Sequence, residues 1–193
     1  MMSAGRQPQQ STGNDFDVKR LLSQLCDEEI DFIVTGSVAV LAYGIRLTPA
    51  NLDIIPAPHT QNVHRLAQAL YPLNGGASKK VPPVEKFDTG DRISTTAGRI
   101  KLHHCSGEMY AGLARRAIWA EAWDRRFRLV HPDHLLRLWQ ETDRPADWPK
   151  MEKLAAVRAD LPQLTQAWPA ENFLTVALHV GVTQAGSKPR RRR

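Results

Sequence analysis

Residues 34–55, VTGSVAVLAYGIRLTPANLDII, combine a turn suited to a phosphate with the residues of a partial metal site. A short apolar run ends at Gly36-Ser37, where a helix-like pattern begins. Glycine lets a ligand approach the backbone, a serine hydroxyl can donate to it, and a helix N-terminus presents free N–H groups to an anion. Asn51 and Asp53 are spaced i and i+2 on the next apolar run, so their side chains would point to one face of a strand. Two carboxylates there could hold a divalent ion against the phosphate, but one of the two residues is an amide.

Alternating helices and strands are predicted to position these residues. Apolar residues at helical spacing predict helices over 15–30 and 60–71, with a small apolar helix over 38–43 between them. Short apolar runs at 31–35 and 52–55 predict the strands that flank the small helix. The order helix, strand, helix, strand, helix is typical of an α/β or α+β domain.

The rest of the chain adds a predicted hairpin and further helices. Strands at 92–95 and 99–103 would form the hairpin, and Lys101 and His103 share one face of its second strand. His103 could face the pocket, although a surface strand position is the commoner role of such a histidine. The later segments are predicted as a helix over 107–123, a strand over 127–130 and helices over 133–140 and 147–159, whereas 173–180 is apolar and ambiguous. We therefore expect an α/β (α+β) fold, with a mixed sheet flanked by helices and a helical C-terminal extension.

Composition suggests four segments of the chain. Residues 1–14 are rich in Gln, Ser, Gly and Pro and are expected to be a disordered leader. A core over 15–106, a helical C-terminal region over 107–182 and a basic disordered tail over 183–193 would follow. The leader lacks the apolar stretch of a secretory signal, and no apolar run approaches the roughly 18 residues of a membrane span. We therefore expect a cytoplasmic protein with no membrane partner.

Positive charge is concentrated near the end of the chain. The formal net charge is +6 over 193 residues, and the last six positions contain five cations: Lys188, Arg190, Arg191, Arg192 and Arg193. This tail could contact RNA, or it could be solvated with no ordered role. A second basic cluster could also meet RNA, although solvated ends of elements are the simpler interpretation. Its members are Arg115, Arg116, Arg125, Arg126 and Arg128.

The motifs of residues 36–53 resemble the nucleotidyltransferase fold of the DNA polymerase beta superfamily, especially the minimal bacterial members that include abortive-infection toxins. The family pattern is Gly-Gly or Gly-Ser, a short helix, Tyr or His before Gly, Arg-x-Thr, and then Asp-x-Asp. The matching residues here are Gly36-Ser37, Tyr43-Gly44, Arg46-Leu47-Thr48 and Asn51-Leu52-Asp53. TQNVHRLAQAL (60–70), TTAGRIKL (95–102) and two later helical segments resemble downstream parts of the family, so the likeness covers roughly residues 15–160.

Two departures from the family pattern affect the implied chemistry. Asn51 replaces the first aspartate, and Lys101 replaces a third acid that the family carries on a later strand. Asn51, Asp53 and Lys101 have no net charge, whereas three carboxylates would have a charge of −3. Mg²⁺ prefers oxygen ligands that include carboxylates, so a weak site for Mg²⁺ with ATP or another nucleoside triphosphate is the most that these residues predict.

Two functional hypotheses are consistent with these residues. The first is a catalytically degenerate nucleotidyltransferase, a pseudoenzyme that binds nucleotide or RNA phosphate through Gly36, Ser37, Arg46 and Lys101 in a regulatory role or with a protein partner. The second is an active Mg²⁺-dependent enzyme, toxin-like, that transfers a nucleotide to RNA or to a protein hydroxyl. In the second, Asp53 is the catalytic residue and main metal ligand, and Asn51 is a weak ligand.

Two placements would separate these hypotheses. A carboxylate from Asp88 or Asp91 within metal reach of Asp53 would favour the enzyme. An ion pair between Lys101 and Asp53 would count against the enzyme and favour the degenerate site. In a degenerate site, Lys101 could neutralise a phosphate in place of a metal, or it could simply point to solvent.

Overall fold

The structure is a computed structural model that describes residues 16–74, 92–142, 148–166 and 173–175. Its strands are β1 (Phe32–Thr35), β2 (Leu52–Pro56), β3 (Arg92–Thr95), β4 (Gly98–Leu102), β5 (Ile118–Ala122), β6 (Arg125–Leu129) and β7 (Phe173–Thr175). Its α-helices are α1 (Val18–Asp27), α2 (Gly36–Ala42), α3 (Thr60–Leu70), α4 (Gly107–Arg116), α5 (Pro132–Thr142) and α6 (Trp148–Gln166). The predicted leader, Asp88, Asp91 and the basic tail lie outside the described residues.

The described strands form one mixed sheet in the order β3-β4-β2-β1-β6-β5-β7. At its centre β1 is antiparallel to β2, whereas β2 is parallel to β4 and β1 is parallel to β6. Because β1 and β2 run in opposite directions, the end of β1 lies beside the start of β2, and Thr35 is paired with Asp53. The mixed sheet with its flanking helices confirms the predicted fold class.

The core lies around the central strands, and every residue of β1 and β2 is buried. Helix α1 contributes one apolar face, since Leu21, Leu22 and Leu25 are fully buried. The side chain of Asp17 caps this helix by accepting a hydrogen bond from the backbone N–H of Arg20. Burial of every residue of β1 and β2 holds in place the two strands whose ends bring the site residues together.

Asn62 of α3 ties that helix to the edge of the core. Its side chain is buried and accepts from the Asp31 N–H at 2.8 Å. Its amide also donates to the carbonyl oxygens of Asp31 (2.9 Å) and Ala57 (3.0 Å). Three of the four hydrogen bonds available to a buried asparagine are thus formed with the backbone that flanks β1 and β2.

The helix predicted over 107–123 is wrong beyond Arg116, where α4 ends and the chain turns into β5. In β5 the small and branched residues Ile118, Ala120 and Ala122 alternate as buried positions, which is the period of a strand. A two-residue connection with positive φ at Trp123 and Asp124 then leads to β6. Alanine-rich sequence favours a helix locally, but pairing with β6 determines the outcome.

The sheet therefore continues past residue 106, since β5 and β6 lie in the region over 107–182 that we expected to be helical. The division into a leader, core, C-terminal region and tail stays a prediction. Within the described ranges, no helix is both long enough and apolar enough to cross a membrane.

Candidate functional site

Asp53 is the centre of the candidate site, and both of its carboxylate oxygens are engaged. The residue is 8% exposed in the second position of β2. Asn51 Nδ2 donates to Asp53 Oδ2 at 2.5 Å, and His103 Nε2 lies 2.9 Å from Asp53 Oδ1. Asn51 thus presents its amide nitrogen, not its oxygen, to the carboxylate. Asp53 therefore has two protein partners within hydrogen-bond distance.

The sheet register explains both contacts with Asp53. Asn51 precedes β2 by one residue and lies at i−2 from Asp53, on the same face of the chain. Strand β4 runs parallel to β2, and Lys101 is paired with Asp53. Just beyond β4, the backbone N–H of His103 donates a hydrogen bond to the Ile54 carbonyl at 2.9 Å. His103 lies two residues beyond Lys101 and so shares its face.

Gly36, the first residue of α2, lies directly against the Asp53 carboxylate. Its φ is +62°, and an added Cβ would lie 2.7 Å from both Cγ and Oδ2 of Asp53. No L-amino-acid side chain fits that space. The glycine is therefore required at this turn both for its backbone conformation and for the close approach of the carboxylate.

The other predicted phosphate-binding residues form no hydrogen bond or ion pair with Asp53 within the described residues. Ser37 and Lys101 are half-buried, and Arg46 is exposed in the segment after α2. The ion pair between Lys101 and Asp53 that would have identified the degenerate site is absent among the described residues, and His103 pairs with Asp53 instead. Neither Lys101 nor Arg46 forms an ion pair within the described part of the chain.

The residues present do not fit a Mg²⁺ ion in this arrangement. Within the described ranges, no group of three His, Cys, Asp or Glu side chains is placed to hold a metal. Among the described residues, Asp53 is the one carboxylate of the centre, and Asn51 turns its amide N–H toward it. Mg²⁺ needs oxygen ligands in near-octahedral geometry, and an amide N–H is not a ligand.

His103 is the functional candidate that the sequence underrated. We expected a surface strand position, whereas the structure places it beside Asp53 and in the wall of a cavity. The signal was its i+2 spacing from Lys101. That spacing becomes informative only once β2 and β4 are known to be parallel neighbours.

Most of the second basic cluster is neutralised by nearby acids. Four of its five arginines pair with carboxylates: Arg116 with Asp133, Arg125 with Asp27, Arg126 with Glu121 and Arg128 with Asp31. Arg128 also lies over the rings of Tyr110 and Trp119, which makes it a packing residue as much as a charge. Whether this cluster contacts RNA stays a prediction, and in the structure these four arginines have carboxylate partners within the protein.

Solved structures with nucleotidyltransferase folds resemble this chain. The lincosamide antibiotic adenylyltransferase LnuA, solved with lincomycin, aligns with a TM-score of 0.53 and 12% identity over 74% of this chain and 99% of its own. A Thermotoga maritima protein described as a candidate nucleotidyltransferase aligns at 0.48 and 13% identity, over 75% and 92% of the two chains. The antibiotic-resistance factor ANT(2'')-Ia aligns at 0.48 and 15% identity, over 78% and 91%.

No protein-family model matches the sequence, and no curated protein matches it significantly. At 12% identity the likeness to LnuA establishes the fold alone. The chain has a nucleotidyltransferase fold, as the motifs of residues 36–53 predicted.

Proposed function

We propose that this protein binds the phosphates of a nucleotide or of RNA without a divalent ion and does not transfer nucleotides. The observation that carries the proposal is the closed carboxylate: Asn51 and His103 engage the two oxygens of Asp53 that would otherwise hold a metal. A protein of this kind would act through regulation or through a protein partner, as in a toxin–antitoxin pair, and not through catalysis.

A metal ion would have to displace existing contacts of Asp53. Hydrogen bonds to a charged group are each worth about 1.5–3 kcal/mol, so breaking the contacts with Asn51 and His103 would oppose metal binding. Lys101, opposite Asp53 in the sheet, adds a positive charge on the same face of the sheet. Within the part of the chain that the structure describes, Asp53 is the one carboxylate of the centre, which is less negative charge than a pair of Mg²⁺ ions needs.

Lys101 and Arg46 are the residues best suited to a phosphate. Both are cations without an ion-pair partner among the described residues, and Lys101 adjoins the turn at Gly36-Ser37 through the pairing of β2 with β1 and β4. Helix α2 has seven residues and so offers only a weak dipole. The phosphate contacts would therefore depend mainly on the two cationic side chains, with Ser37 as a hydroxyl donor.

Titration with ATP tests the proposal. The dissociation constant should not change when EDTA replaces Mg²⁺, and Lys101→Ala should weaken binding about tenfold or more, the value of one charge-assisted contact. Lys19→Ala, which removes the same charge from an exposed position on α1, is the matched control and should bind normally. Loss of ATP binding in EDTA, or equal affinities of the two variants, would overturn the proposal.

The alternative is an active enzyme that transfers a nucleotide to RNA or to a protein hydroxyl, and its support is the fold shared with the adenylyltransferase LnuA. Asn51 would then have to rotate and present its amide oxygen to a metal held mainly by Asp53. Incubation with each radiolabelled nucleoside triphosphate, Mg²⁺ or Mn²⁺ and total cellular RNA decides this point. Label transfer that is lost in Asp53→Ala would establish the enzyme, whereas no transfer with retained ATP binding supports a binding protein.

A further inference from the structure

A cavity of about 570 Å³ lies beside His103, on the side of the sheet that carries Asp53. Its walls come from the ends of β1 and β2, the segment after β4, and helices α4 and α5. This volume is in the range of small-molecule sites, roughly 300–1,000 Å³. None of the predicted phosphate residues, Gly36, Ser37, Arg46 or Lys101, lines it. The cavity is thus a second compartment next to the proposed phosphate surface.

Gly112 is the first sign that the cavity space is used. It lies in the interior of α4 and lines the cavity, yet its φ is not positive and an added Cβ would meet no atom within 4 Å. A glycine inside a helix destabilises it by about 0.5–1 kcal/mol relative to alanine. Neither the backbone nor a neighbour requires this glycine, but a side chain at position 112 would extend into the cavity, so the glycine keeps that space open.

Thr35 gives an independent sign. This residue is 3% exposed and lines the cavity, and its Oγ1 is buried without a hydrogen-bond partner. A buried hydroxyl that is left unsatisfied costs about 1–3 kcal/mol. Because Oγ1 itself has almost no accessible surface, the Thr35 side chain would have to rotate toward the cavity for a polar atom of a bound ligand to supply the missing partner.

The charged and polar groups of the lining indicate the chemistry of the ligand. Arg116 and Arg137 outnumber the single acid Asp133, and four histidines add imidazole nitrogens. Arg116 pairs with Asp133 at 2.6 Å, which leaves Arg137 as the excess cation of the wall. Glu141, outside the lining, approaches Arg137 at 3.7 Å from one helical turn away. That exposed pair is weak and easily replaced by another anion.

Apolar side chains form much of the remaining wall. Ile55 on the sheet, Leu113 on α4 and Leu138 on α5 contribute to it. A ligand that fits these walls needs an apolar body to contact the leucines and the isoleucine. It also needs an acceptor group directed toward the arginines and histidines.

We propose that this cavity binds a small organic anion with a ring-sized apolar body and one carboxylate or phosphate group. The site goes beyond the proposed nucleotide-phosphate function because none of the proposed phosphate-binding side chains lines it, although His103, which engages Asp53, lies in its wall. It can therefore be present or absent independently of ATP binding.

The test uses 1-anilinonaphthalene-8-sulfonate, an aromatic anion whose fluorescence increases in an apolar site. The full-length protein should bind it saturably at one site, and N-phenyl-1-naphthylamine, which has the same rings without the charge, should bind at least tenfold more weakly. Gly112→Leu should fill the cavity and reduce binding of the anion at least tenfold. Gly107→Leu, at an equally open position of α4 outside the lining, is the matched control and should bind normally.

Arg137→Gln is a second variant at a mostly exposed side chain, and it should weaken the anionic probe without affecting the neutral one. Thermal unfolding and ATP titration of each variant show that the fold and the phosphate surface are intact. Equal binding by the two leucine variants would overturn the site. Equal binding of the charged and neutral probes, or no effect of Arg137→Gln, would overturn its preference for an anion.

Discussion

The contact between Gly36 and Asp53 can be tested with two alanine substitutions. Gly36 and Gly44 both have left-handed backbone conformations, with φ of +62° and +83°. An added Cβ at Gly44 meets nothing within 4 Å, whereas at Gly36 it lies 2.7 Å from Cγ and Oδ2 of Asp53 and 2.9 Å from its Cβ. The two substitutions therefore share a backbone penalty, and only Gly36→Ala adds a steric one.

The structure sets the size of each effect. A left-handed conformation costs a non-glycine residue about 1–2 kcal/mol, which is the loss in free energy of unfolding expected for Gly44→Ala. Forcing an extra carbon against a packed group typically adds about 1–3 kcal/mol, so Gly36→Ala should lose roughly 2–5 kcal/mol. Asp53→Ala removes two of the three close atoms, and the excess cost of Gly36→Ala should shrink in that background without vanishing.

Urea unfolding followed by circular dichroism measures these differences as a double-mutant cycle between positions 36 and 53. Gly44→Ala in the same two backgrounds is the control and should show no coupling to Asp53. Equal losses for Gly36→Ala and Gly44→Ala would show that the carboxylate does not rest against the turn. The conclusion that the Asp53 carboxylate packs against Gly36 would then be wrong.

Two further substitution experiments test the packing around the site. Burial lowers the pKa of His131 and of His134, so the unfolded chain takes up these protons at higher pH than the folded one. The free energy of unfolding should therefore fall as the pH drops below about 6.5, by at most about 1.4 kcal/mol per pH unit for each histidine, and His131→Gln with His134→Gln should flatten that slope. An unchanged slope in urea titrations would contradict this. Asn62→Ala should cost about 2–4 kcal/mol, because three hydrogen bonds to buried backbone are lost, whereas the exposed neighbour Gln61→Ala should cost less than about 0.5 kcal/mol. Similar losses for these two variants would refute that role of Asn62.

Local patterns in the sequence were enough to predict the central part of the fold. The apolar run before Gly36-Ser37, the short helix and the strand that contains Asp53 follow one another within about twenty residues. Their order and pairing are therefore set by short connections, and the turn residues identify where each element ends. The amphipathic helices α1 and α3 were predictable for the same reason.

Pairings between distant segments could not be predicted in this way. The end of α4 at Arg116 depends on β5 pairing with β6 through a turn at Trp123 and Asp124, and tryptophan is an unusual residue for such a turn. The position of His103 depends on β4 lying parallel to β2, which hydrophobic periodicity does not show. The contact between His103 and Asp53 therefore depends on tertiary structure and not on local sequence pattern.

The position of His103 also changes how Asn51 should be understood. Asp53 is almost fully buried, and a buried carboxylate needs either a bound cation or hydrogen-bond donors. Asn51 and His103 provide donors on its two oxygens, so the centre is satisfied without a metal. An aspartate at position 51 would place a second carboxylate within about the same distance of Asp53, and the two would repel each other in the absence of an ion. An amide at position 51 is thus the residue type that a metal-free version of this site requires.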